Sequence, residues 1–323
     1  MNWNNAIGGY FELELNDFGS IYHDDLLALN TGRNALEFIL IQQGYKKIYI
    51  PYYTCDVTLQ PIKRQKINYE FYFLDKDFFP KNVELKDKEA LLYVNYFGIM
   101  NIQVKHLSEK FSNLIIDNSQ AFYENPLKNV DTFYSPRKFF GLPDGGFASC
   151  TINNKLNMER DISIDRMSHL LTRIDQGAET GYSNFKENDK KLDNMPLKCM
   201  SRLTEKLMKN INYKHIRNIR KSNFNTIHKI LYVENELSPL IDLNEFESPL
   251  IYPFLKKGNN KRRKKLLEEK IYTAKYWPNV GEWLKGKDCH ENYILDNLIA
   301  LPVDQRYTER EISFMLNALT DGL

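Results

Sequence analysis

The chain has 323 residues with 42% hydrophobic and 13% aromatic content, which excludes a disordered protein and supplies material for large cores. Its 44 Lys and Arg against 42 Asp and Glu leave a formal charge of +2, too small to point to nucleic acid or an anionic membrane as the main partner. Cys55, Cys150, Cys199 and Cys289 form no C-x-x-C pair and read as free thiols. No apolar run approaches the roughly 18 residues of a membrane span, and MNWNNAIGGY lacks a charged segment followed by an apolar one, so a cytoplasmic location is expected.

In chain order, IGGYFELEL within the first 28 residues offers a strand, with Gly8 and Gly9 permitting a turn or a close approach. NTGRNALEFILIQQG reads as a helix capped by Asn30 or Thr31 and stopped by Gly44. Its N-terminus is a ready anion site, because Gly32 leaves backbone N–H groups open and Arg33 sits in the first turn; an ordinary capped helix is the blander reading. Short apolar runs follow at residues 46–53, 69–75, 90–98, 113–117, 131–135 and 146–153. Most are continuous, as expected of strands covered on both faces, and helical segments such as VTLQPIKRQ and VKHLSEKF lie between several of them. Right-handed crossovers make most of these strands parallel, which puts a ligand beyond their carboxyl ends. Residues 51–54, 95–98 and 117–120 and the loop around Lys138 follow those ends.

That loop, within FYSPRKFFGLPDGGF (133–147), centres on Lys138 and is supported by Gly141, Pro143, Gly145 and Gly146. A lysine acts as an imine-forming nucleophile when its amine is neutral. Desolvation by Phe133, Tyr134, Phe139 and Phe140, with the like charge of Arg137, is expected to favour that form. Two solvated charges on a surface loop are the alternative. Asp117 ends the run Leu114, Ile115, Ile116, where a buried carboxylate needs a partner; a cationic ring nitrogen or a helix cap through Asn118 and Ser119 would serve.

The succession TGRNAL (31–36), IPYYT (50–54), VNYFG (94–98), IIDNSQAF (115–122) and FYSPRKFFGLPDGGF (133–147) resembles the DegT/DnrJ/EryC1/StrS family. These are pyridoxal-phosphate-dependent aminotransferases of the aspartate-aminotransferase fold, fold type I, most acting on nucleotide-linked keto sugars. The resemblance spans roughly residues 29–232. It implies an α/β fold with a three-layer large domain over residues 1–232 and a small α+β C-terminal domain over 233–323. It also implies that Lys138 forms the internal aldimine, that Asp117 pairs with the protonated pyridine nitrogen, and that Gln120 contacts the phenolic oxygen. Gly32 and its neighbours would take the phosphate.

Several positions depart from the family pattern. Arg33 stands where Ser or Thr is usual after the glycine; a guanidinium binds phosphate with different geometry. The stacking aromatic falls at Cys55, leaving Tyr52 or Tyr53 to supply it. The serine five residues before the lysine is Phe133, with Ser135 as a substitute, and Asp144 replaces the usual Glu. Within residues 165–185, Gly181-Tyr182-x-Asn184 resembles a loop reaching the neighbouring subunit's cofactor phosphate.

Residues 200–233 carry apolar positions at helical spacing and read as a helix or helix pair joining the domains. LIYPFLKK (250–257) reads as a strand, KRRKKLLEEKI (261–271) as a helix with a solvated basic face, and ALPVDQRYT (300–308) as a returning strand. Thr308 and Glu311 form a capping box for the last helix. Tyr276, Trp277, His290 and Arg306 are candidate substrate contacts, and no histidine has metal-ligand spacing.

The expected function is amino transfer from an amino acid, glutamate by family analogy, to a keto sugar, nucleotide-linked, by a homodimer. This chemistry would serve cell-surface polysaccharide or related sugar biosynthesis. The alternatives are a binding or scaffold protein that keeps the fold, favoured by Arg33 and Cys55, and a nicotinamide- or nucleotide-binding α/β enzyme, which lacks a G-x-G-x-x-G.

Overall fold

The computed structural model describes residues 9–154 and 156–320. The six apolar runs form strands β2 (Lys47–Pro51), β3 (Asn68–Tyr72), β4 (Glu89–Val94), β5 (Leu114–Asp117), β6 (Asp131–Tyr134) and β7 (Gly146–Ser149), preceded by a short β1 (Leu27–Leu29). Among the described residues these make one sheet in the order β1-β7-β6-β5-β4-β2-β3. Strands β2 to β6 run parallel, whereas β7 is antiparallel to both its neighbours. A parallel pair needs a long crossover; the segment between β6 and β7 holds only the lysine turn and the paired glycines, so the chain folds straight back.

Successive side chains of the central strands serve two cores. Ala90, Leu92, Ile115, Phe133 and Ala148 pack on one face with helix α1 (Gly32–Gln43) and α2 (Leu59–Arg64). Leu91, Tyr93, Leu114, Ile116, Tyr134 and Phe147 pack on the other. That second core takes in α3 (Asn101–Lys110) and continues through Phe224, Ile227 and Leu231 of α7 (Tyr213–Leu231) into the C-terminal strands β8 (Ile251–Leu255) and β9 (Leu298–Pro302). Thr31 is the N-cap of α1, its Oγ1 accepting from the Asn34 N–H at 3.0 Å, and Gly44 ends the helix at φ 62°.

Between β7 and α7 lie α4 (Ser168–Gln176), α5 (Ala178–Lys191) and α6 (Arg202–Lys209). The antiparallel pair β8 and β9 is surrounded by α8 (Asn260–Glu268), α9 (Pro278–Trp283), α10 (His290–Asn297) and α11 (Glu309–Thr320). The α11 capping box forms, with the Thr308 N–H on Glu311 Oε2 at 2.8 Å.

The N-terminal expectation is corrected. Ile7 and Gly8 lie outside the described residues, and residues 9–18 form no strand; Tyr10 and Phe11 are exposed. The segment finds no strand to pair with and is tied down by contacts further along. Tyr22 Oη donates to the Tyr123 carbonyl at 2.9 Å, and His23 Nε2 lies 2.7 Å from the Phe122 carbonyl. No helix among the described residues is long and apolar enough to cross a membrane.

Candidate active site

The carboxyl ends of β4, β5 and β6 meet at one point of the sheet edge. Asp117 closes β5, buried, and its Oδ1 accepts the Ser119 N–H at 2.8 Å, which turns the chain sharply. Gln120 is 0% exposed; its Oε1 accepts the Phe97 N–H at 2.6 Å, while its Nε2 has no hydrogen-bond partner among the described residues. The approach of the two loops depends on Gly98, at φ 81°, where a Cβ would come within 2.4 Å of the Gln120 carbonyl. VNYFG and IIDNSQAF are therefore two halves of one packed corner.

Lys138 ends the turn Pro136–Lys138, and its Nζ donates to Ser119 Oγ at 2.8 Å. This bond brings the lysine to the mouth of β5, beside Asp117. The expected aromatic desolvation is corrected: Lys138 is exposed, and Phe133, Tyr134, Phe139 and Phe140 all turn into the cores. Phe133 and Tyr134, on a strand covered on both faces, serve opposite cores, which leaves neither free to cover the amine. The Arg137 guanidinium is paired instead with Asp189 of α5, Nη2 to Oδ1 3.0 Å.

The N-terminus of α1 abuts this turn. A Cβ on Gly146 would overlap the Thr31 carbonyl at 2.3 Å, so that glycine is required for the contact, while one on Gly32 would press Ser135 Cβ at 3.1 Å. The Asn34 N–H is taken by Thr31 Oγ1 and the Ala35 N–H by the Thr31 carbonyl; the Gly32 and Arg33 N–H groups have no intrahelical acceptor. Arg33 points to the end of α5, its Nη1 donating to the Leu192 carbonyl at 2.7 Å and to Asp193 Oδ1 at 2.9 Å.

Tyr53 lies in the core, its ring 5.1 Å from Trp277 and 5.7 Å from Tyr96, and its phenol oxygen is buried without a partner. Tyr52 stacks on Phe71 at 4.7 Å and 15°. Both rings are thus committed to packing, while Cys55 lies near enough to Lys138 to feel its charge. Burial pushes the Cys55 thiol up, opposed by the Val57 N–H and then by Lys138. Asp144 is buried and accepts the N–H of Ser201 at 3.1 Å and its hydroxyl at 2.9 Å, as well as the Thr204 hydroxyl. It anchors the start of α6, and burial raises its carboxyl above the ordinary range.

Asn184 is corrected in its local structure. Its segment is part of helix α5, not a loop, and its amide donates to Thr172 Oγ1 of α4 at 3.1 Å. Of the C-terminal candidates, Trp277 packs on Tyr53, His290 edges Phe78 at 5.7 Å, and Arg306 pairs with Asp304 at 2.7 Å. Sequence reasoning missed Ser119 as the partner of Lys138, although it lies in the IIDNSQAF block. It also missed Asp189, in a charged helix with no distinguishing motif, and Asp193, in the turn that follows it.

No protein-family model and no curated protein sequence matches the chain. Solved structures do. DesV from S. venezuelae matches at a TM-score of 0.63 and 13% identity, over 91% of this chain and 83% of that one. NtdA from Bacillus subtilis, with bound cofactor PMP, matches at 0.63 and 13%, over 92% and 73%. A DegT DnrJ EryC1 StrS aminotransferase from Brucella abortus matches at 0.60 and 14%, over 91% and 84%. At this identity the likeness concerns the fold, and with the mixed sheet and its helical layers it leads to one conclusion: the chain has the fold-type-I architecture of the large domain of pyridoxal-phosphate-dependent aminotransferases.

Proposed function

We infer that the chain is a pyridoxal-phosphate-dependent aminotransferase of the DegT/DnrJ/EryC1/StrS type, passing an amino group from an amino acid, glutamate by analogy, to a keto sugar, nucleotide-linked. The observation that carries this reading is the bond of Lys138 Nζ to Ser119 Oγ, whose N–H is in turn held by Asp117 Oδ1 at the end of β5. The residues fit the cofactor at three points. Gln120 offers a buried donor for the phenolic oxygen, Asp117 a carboxylate for the protonated ring nitrogen, and the N–H groups of Gly32 and Arg33 with the Ser135 hydroxyl a cradle for phosphate. Tyr53 and Asn184 are left out of this set by their packing in the core and on α5.

When bound, the cofactor supplies an electron sink for the carbon from which a proton is removed. The protein does the rest. Lys138 is the nucleophile for the aldehyde and afterwards takes and returns a proton at Nζ. Ser119 Oγ holds that amine at the mouth of β5, and Asp117, fixed by the Ser119 N–H, keeps its charge directed at one position. Exposed apolar residues on the α4–α5 side, Ile162, Ile164, Leu171 and Ile174, favour burial against a second copy in a homodimer. The 1–232 and 233–323 division belongs to the same reading, as does a cytoplasmic place in cell-surface polysaccharide or related sugar biosynthesis.

The test is an absorption spectrum of the purified protein with added pyridoxal phosphate, before and after borohydride, followed by peptide mapping. A visible band that borohydride abolishes, leaving the reduced cofactor on Lys138, is expected. A binding protein that keeps the fold is the second reading, favoured by Arg33 being engaged with Asp193 and by Cys55 where an aromatic is usual. Absence of label on Lys138 would put it first.

A further inference from the structure

Two guanidiniums border the phosphate cradle, and both are held by the end of α5. Arg33 is the second residue of α1, and Arg137 immediately precedes Lys138. No acidic residue in the first turn of α1 offsets them. Asp193 and Asp189 do so from outside, at 2.9 and 3.0 Å. The arginine side chains are 15% and 16% exposed, the carboxylates 45% and 51%. The pairs therefore join largely buried cations to anions that return easily to water.

Arg137 is the under-satisfied arginine of this cluster; Arg33 is held also by the Leu192 carbonyl at 2.7 Å. Arg137 Nε is buried with no hydrogen-bond partner. On α5, one residue before Asp189, Asn188 is 2% exposed and neither of its amide atoms has a partner. Burial pulls the Arg137 guanidinium below its ordinary value, the Asp189 carboxylate opposes this, and the nearby charge of Arg33 adds to the lowering. A doubly charged anion with three acceptor oxygens would satisfy Arg137 and the Arg33 N–H better than a single carboxylate does.

We propose that Arg33 and Arg137 form a two-guanidinium clamp for the cofactor phosphate, and that Asp189 of α5 and Asp193, in the turn just after that helix, occupy the clamp until phosphate displaces them. This rests on the pyridoxal phosphate reading above and adds Arg137 as a ligand and α5 as its intramolecular competitor. The clamp substitutes for the hydroxyl replaced by Phe133, which is packed against α1.

The experiment titrates the full chain, in phosphate-free buffer, with pyridoxal phosphate and separately with pyridoxal, which lacks the phosphate, following fluorescence and visible absorbance. For Arg137→Gln, affinity for pyridoxal phosphate is expected to fall about tenfold or more while that for pyridoxal stays within about twofold. Arg137→Lys, which keeps the charge, should recover part of the loss and controls for misfolding. Asp189→Asn should raise affinity for pyridoxal phosphate several-fold and leave pyridoxal unchanged. Equal losses for both ligands in Arg137→Gln, no loss for either, or no gain in Asp189→Asn would overturn the clamp. A wild-type protein that binds neither ligand defeats the cofactor reading itself, a result distinct from these.

Discussion

The loop after β5 and the end of α5 meet the lysine turn from two sides and are held there in opposite ways. Asp117 and Gln120 are buried and bonded to the backbone N–H groups of Ser119 and Phe97. The α5 carboxylates are half-exposed and reach the turn only through arginine side chains, each pair worth at most about 1 kcal/mol. One side is a fixed template; the other is a contact that can exchange. The chemistry assigned to this site needs both, since reacting groups must be preorganised while an anionic ligand must be able to enter.

The most severe way to test the template is to remove its lysine. Lys138→Ala takes away the donor to Ser119 Oγ but none of the backbone bonds that shape the β5 loop. Borohydride labelling and the visible band of bound pyridoxal phosphate should vanish, while stability changes by no more than about 0.5 kcal/mol. A labelled variant would remove Lys138 from its role. Next in size is Arg220, which is 1% exposed and lies over the Phe139 ring at 4.6 Å. It donates to the carbonyls of Pro249 and Leu250 at 3.1 and 2.7 Å and to Gln305 Oε1 at 3.1 Å; Gln305 in turn donates to the Phe139 carbonyl at 3.0 Å. Arg220→Met keeps the volume and strands those acceptors, so a loss of about 3 kcal/mol is expected in urea unfolding. A loss under about 1 kcal/mol would mean the lysine turn does not depend on this anchor.

The template was largely legible in the sequence because it is built from local signals. Continuous apolar runs reveal strands covered on both faces, and Thr31 with Gly44 brackets α1 by cap chemistry alone. Strand β1 was not legible: three residues carry no periodicity, and it exists because β7 pairs with it. The exposure of Lys138 was misread because neighbouring aromatics in sequence alternate between faces, so adjacency along the chain is not adjacency in space. The α5 contacts were invisible for a related reason. Asp189 lies 52 residues from Arg137, and Asp193 lies 160 from Arg33. Nothing in a surface helix rich in Lys, Asp and Glu marks which carboxylate will meet which arginine.

The continuation of the β5 loop offers a test by pH, because a buried histidine and a half-buried glutamate there titrate with opposite signs. Burial pushes His23, on the Phe122 carbonyl, down to about 4. Below pH 6.5 the unfolded chain binds a proton that the folded chain refuses until about pH 4, so this group costs stability progressively as pH falls from 6.5 toward 4. Burial raises Glu124 to about 7, with the Glu247 N–H opposing. Here the folded chain binds the proton first, and stability rises as pH falls from 7 toward 4.5. Each contribution amounts to about 2 kcal/mol at pH 5, the Glu124 figure discounted for partial exposure. Relative to wild type, His23→Gln should gain stability and Glu124→Gln should lose it between pH 7 and pH 5, measured by urea unfolding. Variants that stay parallel to wild type across that range would show that neither group titrates as its burial requires.

The smallest expected effect bears most directly on the exchangeable side. Asp189→Asn removes one charge from a half-exposed pair and keeps an amide that can still accept from Arg137, so the change in unfolding free energy should stay below about 1 kcal/mol. Added salt should erase most of it, since screening acts on exposed pairs. If Asp189→Asn cost as much as Arg220→Met, α5 would be part of the rigid frame and the division between fixed template and exchangeable contact would fail. A small, salt-sensitive change has the opposite meaning: the pair then contributes little to holding the fold, which leaves it free to yield when phosphate arrives.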